Sequence, residues 1–406
     1  MWVTKDFPAA WTERLIAVRR HLHAHPELSN EEHETTAYLR EQLAEAGIRE
    51  LDLGLSTGLV AEIGSAVDGP IVAVRADIDA LPVQEETGLD YASRVPGRMH
   101  ACGHDFHAAA LLGAALRLKA READLPGRVR LLFQPAEEKA KGAVQLIRSG
   151  ALEGVQAIFG LHNKPDLRVG AIGVKSGPLM AAADGFAVDV RGRGSHAAVP
   201  EVAVDPIVVA AHIVTALQSI VSRNVGPLDS AVVSVTRLNA GTSWNVIPEH
   251  AVFDGTLRTF DPVIREHVRK RFAALVSGIA ASFESEASIR WIDGPPAVVN
   301  DEAWTRHAAA TAERIGLQTV VPRPSPAGED FAFYLQQIPG AFVFVGTSGE
   351  YEWHHPKFDL DEKALPQTAE YLAALAGGAL ERLQAARGLA RHGVESGVHQ
   401  KGGELA

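Results

Sequence analysis

The sequence predicts an α/β protein in which a mixed, largely parallel sheet is interrupted by an inserted β-α-β-β-α-β module. Three observations predict it. Short apolar runs alternate with helical stretches at both ends of the chain. The middle reads strand, helix, strand, strand, helix, strand. Gly177-Pro178 and Gly294-Pro295-Pro296 punctuate the two crossings between these patterns as plausible hinges.

Residues 8–48 come first. Trp11, Leu15, Val18 and Leu22 recur at helical spacing, Pro26 breaks the pattern, and 31–46 resumes it. Apolar runs at 59–64, 71–76, 129–134 and 157–161 read as strands, with helical stretches at 105–120 and 142–150 between the later ones. In the middle, 185–192, 231–238, 251–260 and 288–292 read as strands, and 205–221 and 262–283 as helices. That order is the ferredoxin-like plan, whose termini emerge at one edge and so tolerate insertion. Beyond 297 the first pattern returns: helix at 302–316, strand at 341–346 and helix at 362–386. The expected boundaries are an outer domain at 1–181 and 295–387, an insert at 182–294, and a Gly-rich, polar, disordered tail at 388–406.

Composition narrows the function classes. The chain has 406 residues, 46% hydrophobic and 22% charged, ordinary for a globular protein of two or three domains. Net charge is −11, which argues against nucleic-acid binding. No apolar run reaches the ~18 residues needed to span a bilayer, so no membrane association is expected. The first residues carry charges where a signal peptide has its apolar core, so a cytoplasmic location is expected. The single cysteine excludes an intrachain disulfide, and the 17 histidines invite a search for metal ligands.

In open α/β sheets, sites form beyond the carboxyl ends of strands. Four predicted strands end in acidic or metal-competent residues. The run at 71–76 leads to Asp77 and Asp79, 129–134 to Glu137 and Glu138, 157–161 to His162, and 341–346, after a loop, to His354 and His355. Cys102 and His104 add a thiol and an imidazole two residues apart, on one side of an extended loop. Adjacent glutamates diverge, so one can ligate metal while the other accepts a proton from water that the metal acidifies. Imidazole and thiolate suit Zn, Mn, Co or Ni. His21, His23 and His25 form a second histidine cluster, of which only His21 and His25 share a helix face. They are expected to shape a turn, and His100 and His107 to support the site indirectly.

Ten blocks carry a family resemblance: RRHLHAHPELS, RADIDALPVQE, GRMHACGHDFH, LLFQPAEE, GLH, GRGSHAAVP, NVIPE, GTLRTFD, GEDFAFY and HHPKFDLDE. In this order, over about 10–380, the chain resembles the metal-dependent amidohydrolases that include hippurate hydrolase, N-acyl-amino-acid deacylases and indole-acetyl-amino-acid hydrolases. The resemblance implies two divalent ions (Mn, Zn, Co or Ni) held by Cys102, His104, Glu138, His162 and a late histidine. That histidine lies two before a proline in such relatives, which selects His354 over His355. It also implies Glu137 as general base and Asp79 behind the ligands. The outer domain would be catalytic and the insert a lid, where His196 stabilises the oxyanion and Asn245 and Arg258 hold a substrate carboxylate. Arginine suits a bidentate carboxylate contact. The implied function is hydrolysis of the amide of N-acyl amino acids or related small amides, in a homodimer or higher oligomer. A dipeptidase or carboxypeptidase on the same scaffold, a metal-binding scaffold without catalysis and a cysteine-nucleophile hydrolase are the alternatives. Relatives often have His where Glu201 stands, and Gly and Thr are common where Phe106 and Ala108 stand; these departures bear on substrate preference.

Overall fold

The computed structural model describes residues 7–398, with side chains described through 388. The chain divides into two compact units. The first runs through Gly177 and includes Asn300–Pro322 and the chain from Phe333 onward; the second comprises Pro178–Val299 and Arg323–Ala332.

The first unit is built on an eight-stranded sheet. Its order is Arg49–Leu51, Leu59–Ile63, Arg128–Gln134, Ile71–Asp77, Val155–Lys164, Gly340–Gly346, Ala171–Gly173 and Gln318–Val320. The four central strands, Arg128–Gln134 through Gly340–Gly346, are mutually parallel. Ile71–Asp77 and Gly340–Gly346 are buried at every position, as a strand covered on both faces must be. Antiparallel neighbours complete the mixed sheet. The helix His104–Lys119 is buried on nearly all sides. It packs against strand Ile71–Asp77 and against helices Ala9–Ala24 and Ala364–Val398.

The second unit has its own core. Its sheet runs Ala231–Ala240, His250–Thr259, Ala182–Arg191, Glu286–Ile292, with every neighbouring pair antiparallel. Inward and outward residues alternate along Ala182–Arg191, so one face is covered. Helices Pro206–Ser219 and Pro262–Ser282 start alike: Asp205 and Asp261 cap them with a side-chain oxygen, and proline follows at the first helical position. Phe186, Val188, Phe253, Leu217 and Phe272 fill the space between sheet and helices.

The structure departs from the sequence reading in four places. Arg323–Ala332 belongs with the insert, because Ser325 bridges to Met180 and its carbonyl accepts the Ala181 N–H at 3.0 Å. The first crossing lies at the Gly177-Pro178 hinge, a few residues before the expected boundary at 181, and the second lies at Asn300, beyond Gly294-Pro295-Pro296. The last helix continues past Gly388 to Val398, and the rest of the expected tail lies outside the described residues. Pro206–Asn224 is, among the described residues, one helix long and apolar enough to cross a membrane. Val209, Ala210, Ile213, Leu217 and Ile220 on it are buried in the second unit's core instead.

Candidate metal centre

The four central parallel strands deliver their carboxyl ends to one edge of the first unit's sheet. Asp77 closes one strand, Glu137 and Glu138 follow the next, His162 lies near the end of the third, and His354 follows the fourth. Cys102 and His104 arrive at the start of the buried helix. Its first turn is preceded by Gly103 at φ +81°, where a Cβ would meet Asn163 Nδ2 at 2.5 Å. Only glycine satisfies both demands.

Three overlapping sets of donors converge: Cys102, His104 and His162; Cys102, Glu138 and His354; His104, Glu137 and Glu138. Cys102 Sγ lies 3.4 Å from His162 Nε2. Glu138 Oε1 is 3.9 Å from His104 Nε2 and 3.5 Å from His354 Nε2. A thiolate or carboxylate shared between sets can bridge two ions. His355 turns away, stacking on Tyr351 at 4.4 Å while its Nδ1 accepts the Lys357 N–H. His354 has φ +66°, and its N–H is tied to the Ala101 carbonyl at 2.8 Å. A left-handed non-glycine residue costs about 1–3 kcal/mol and clusters at functional sites.

The surrounding contacts fix the tautomers. His162 Nδ1 donates to the Asn163 carbonyl at 2.8 Å, which leaves the Nε2 lone pair facing Cys102. His104 Nδ1 bonds Asp79 Oδ1 at 3.2 Å, freeing Nε2 toward Glu138. His107 Nε2 accepts the Asn163 N–H at 2.9 Å, so its Nδ1 proton goes to Asp77 Oδ1 at 2.5 Å. Asp77 is also paired with Arg75. His23 bonds Asp105 and Glu85, whereas His21 and His25 lie tilted against each other with centroids 4.6 Å apart, and His21 stacks on Tyr38 at 4.0 Å. His100 is buried with both ring nitrogens unpartnered.

The residues fit a pair of cations. His104 Nε2 and Glu138 Oε1 are buried with no hydrogen-bond partner. Burial opposes charge on His104, yet Asp77, Asp79 and Glu138 push its pKa up to about 10. Burial, and then Glu138, Glu137 and Asp77, push the Cys102 thiol well up. Both shifts share a cause, carboxylates crowded around buried donors. A divalent cation answers that excess better than protons do.

In the second unit, His196 and Asn245 are neighbours: Val246 pairs with His196, and the Ala197 N–H donates to the Asn245 carbonyl at 3.0 Å. Arg258 lines a different feature, a cavity of ≈ 580 Å³ shared with Val232, Asp229 and Phe260. Neither Asp254 nor Asp261 engages it, since Asp254 pairs with Arg237 and Asp261 caps a helix.

The comparisons with known proteins agree with this chemistry. The family model described as peptidase family M20/M25/M40 matches residues 73–377. The chain belongs to this family. It is 52% identical over 376 residues to the N-acetylcysteine deacetylase of Bacillus subtilis, covering 92% of this chain and 99% of that one. An IAA-amino acid hydrolase of Arabidopsis thaliana is 38% identical over 373 residues, covering 89% and 86% of the two chains. The crystal structure of the Bacillus subtilis YXEP protein, a dinuclear metal binding peptidase of the M20 family, superposes with a TM-score of 0.84 at 49% identity. It covers 92% of this chain and 99% of that one.

The sequence reading missed Trp353. Its ring lies 4.4 Å from that of His162, its Nε1 donates to Asn163 Oδ1 at 3.2 Å, and Lys164 Nζ sits 4.6 Å over it. Its position directly before His354 was the available signal.

Proposed function

We propose that the protein hydrolyses the amide bond of N-acyl amino acids, with two divalent ions (Mn, Zn, Co or Ni) held by Cys102, His104, Glu138, His162 and His354. The observation that carries this reading is that Glu138, His162 and His354 from three parallel strand ends meet Cys102 and His104 from the start of the buried helix, with Glu137 in the same cluster. The relatives named for N-acetylcysteine and for IAA-amino acids support the substrate class. When bound, such ions acidify water to a pKa of roughly 7 and polarise a carbonyl oxygen. Glu137 takes the proton of the attacking water and returns it to the departing nitrogen. Asp79 orients His104 through Nδ1.

The second unit is read as a ferredoxin-like lid, supported by its β-α-β-β-α-β order and antiparallel sheet. His196 is assigned to the oxyanion, and Asn245 and Arg258 to the substrate carboxylate. For Arg258 the support is that no carboxylate of its own strand or the following helix start engages it. A homodimer is part of the same reading.

The test is turnover of a panel of N-acetyl amino acids and dipeptides with added Mn, Co or Zn, with and without chelator. Glu137→Gln is expected to keep bound metal and lose roughly 10²–10⁴-fold in kcat. Near-wild-type turnover by that variant sinks the base assignment. Preference for dipeptides supports the peptidase alternative, and no turnover by metal-loaded protein supports a scaffold.

A further inference from the structure

Glu137 and Glu138 stand on a three-residue turn, Glu137–Lys139, flanked by Ala136 at φ +52° and Ala140 at φ +51°. Both flanking residues carry a Cβ in the left-handed region, which persists only where the surroundings impose it. The segment 28–32, a hundred residues earlier, supplies that imposition. Glu32 is fully buried, and its Oε1 accepts the Ala136 N–H at 2.8 Å. Ser29 Oγ donates to Asp79 Oδ2 at 2.7 Å, and that same oxygen accepts the Glu138 N–H at 3.1 Å. Lys139 Nζ donates to the Ser29 carbonyl at 3.1 Å. The segment is itself anchored, since the Ala80 N–H donates to the Glu27 carbonyl at 2.8 Å.

An ordinary helix cap would explain a glutamate at this place, because Glu32 directly precedes helix His33–Glu45. Its side chain makes no bond to that helix. Glu27 takes the helix N–H groups of Glu34 and Thr35 instead, at 3.2 and 2.8 Å. Glu32 is left to serve Ala136 and the N–H of Asn30, at 2.9 Å, while its other oxygen is buried without a partner. Burying a carboxylate so incompletely bonded is costly, and packing alone does not require it.

We propose that 28–32 is a clamp whose Glu32 is a positioning residue. It holds Ala136 left-handed, so that Glu137 and Glu138 leave the turn in their separate directions. The proposal rests on the roles given above to those two glutamates.

The experiment compares Glu32→Ala, Glu32→Gln and Ser29→Ala with the wild-type full chain, loaded with Mn²⁺ and given an N-acetyl amino acid. Two quantities are read: kcat and KM per metal-loaded molecule, and the rate of Mn²⁺ release to a chelator. Glu32→Ala is expected to lower kcat on the order of 10²-fold, as a misplaced group does, with KM little changed and release faster. Glu32→Gln keeps an acceptor for the Ala136 N–H and is expected to recover most of both. Loss of thermal stability alone, with kcat and release unchanged, overturns the clamp, as does an equal loss in the alanine and glutamine variants. Where Glu32→Ala does not fold, Ser29→Ala decides: a lower kcat with faster release supports the clamp, and no change in either overturns it. Glu137→Gln separates the two readings. If that variant stays active, the base assignment fails, and Mn²⁺ release still reports the clamp through Glu138.

Discussion

Cys102 shows how context assigns a residue. A lone cysteine is commonly a small buried hydrophobe, and Cys102 is indeed buried. Burial and three carboxylates push its thiol pKa up, the opposite of what a nucleophilic thiolate needs. His162 Nε2, 3.4 Å away, holds a lone pair that faces the sulfur, but burial pushes the His162 pKa well below the usual imidazole range, which makes it a poor base for the thiol and leaves the lone pair to a metal. Cys102→Asp is therefore expected to keep metal-dependent turnover, checked by its loss on chelation. Complete inactivity of a folded, metal-loaded Cys102→Asp protein would favour a thiol mechanism. The proposed ligand residues were candidates from the sequence because each follows an apolar run or sits in a tight motif, and the structure brings them within reach of one another. Glu32, Ser29 and Trp353 were not. Their partners lie 50 to 190 positions away along the chain, and no spacing rule encodes such pairings.

Elements were legible in proportion to their length. Ile71–Asp77 and Gly340–Gly346 are seven-residue strands built largely of apolar residues and stood out. Arg49–Leu51, Ala171–Gly173 and Gln318–Val320 have three residues each, too few to display a period of two, and went unread. The helix His104–Lys119 was legible as a helix, but its near-total burial was not. Gly113 explains how it fits. A Cβ there would meet Leu15 Cδ1 at 2.5 Å and Ala369 Cβ at 2.6 Å, so three helices meet at this residue. The leucine tip can swing, whereas the Ala369 Cβ is fixed to its backbone. Gly113→Val is expected to lower stability by about 1–3 kcal/mol through overpacking, seen as a lower denaturant midpoint. An unchanged midpoint would mean that the three-helix contact is looser than the distances indicate.

At the level of the whole chain, the insertion was legible from a change of pattern, while the allegiance of Arg323–Ala332 was not, because a loop without periodicity does not reveal where it packs. Among the described residues each unit has a core of its own. One joins Leu15, Leu111, Val74 and Leu372, and the other joins Val188, Phe253 and Phe272. All five proposed ligands lie in the first unit. A ligand that binds only the folded state stabilises it by mass action, about 4 kcal/mol when present at 1,000 times its Kd. Metal loading should therefore raise the melting temperature of the first unit and leave the second unchanged. Calorimetry of the full chain with and without chelator checks this, with tryptophan fluorescence to assign the transitions. Trp304 and Trp353 report on the first unit, Trp244 and Trp291 on the second. A chelator that shifts both transitions equally would show that the two cores unfold as one cooperative unit, and the division drawn from packing would not be a division in stability.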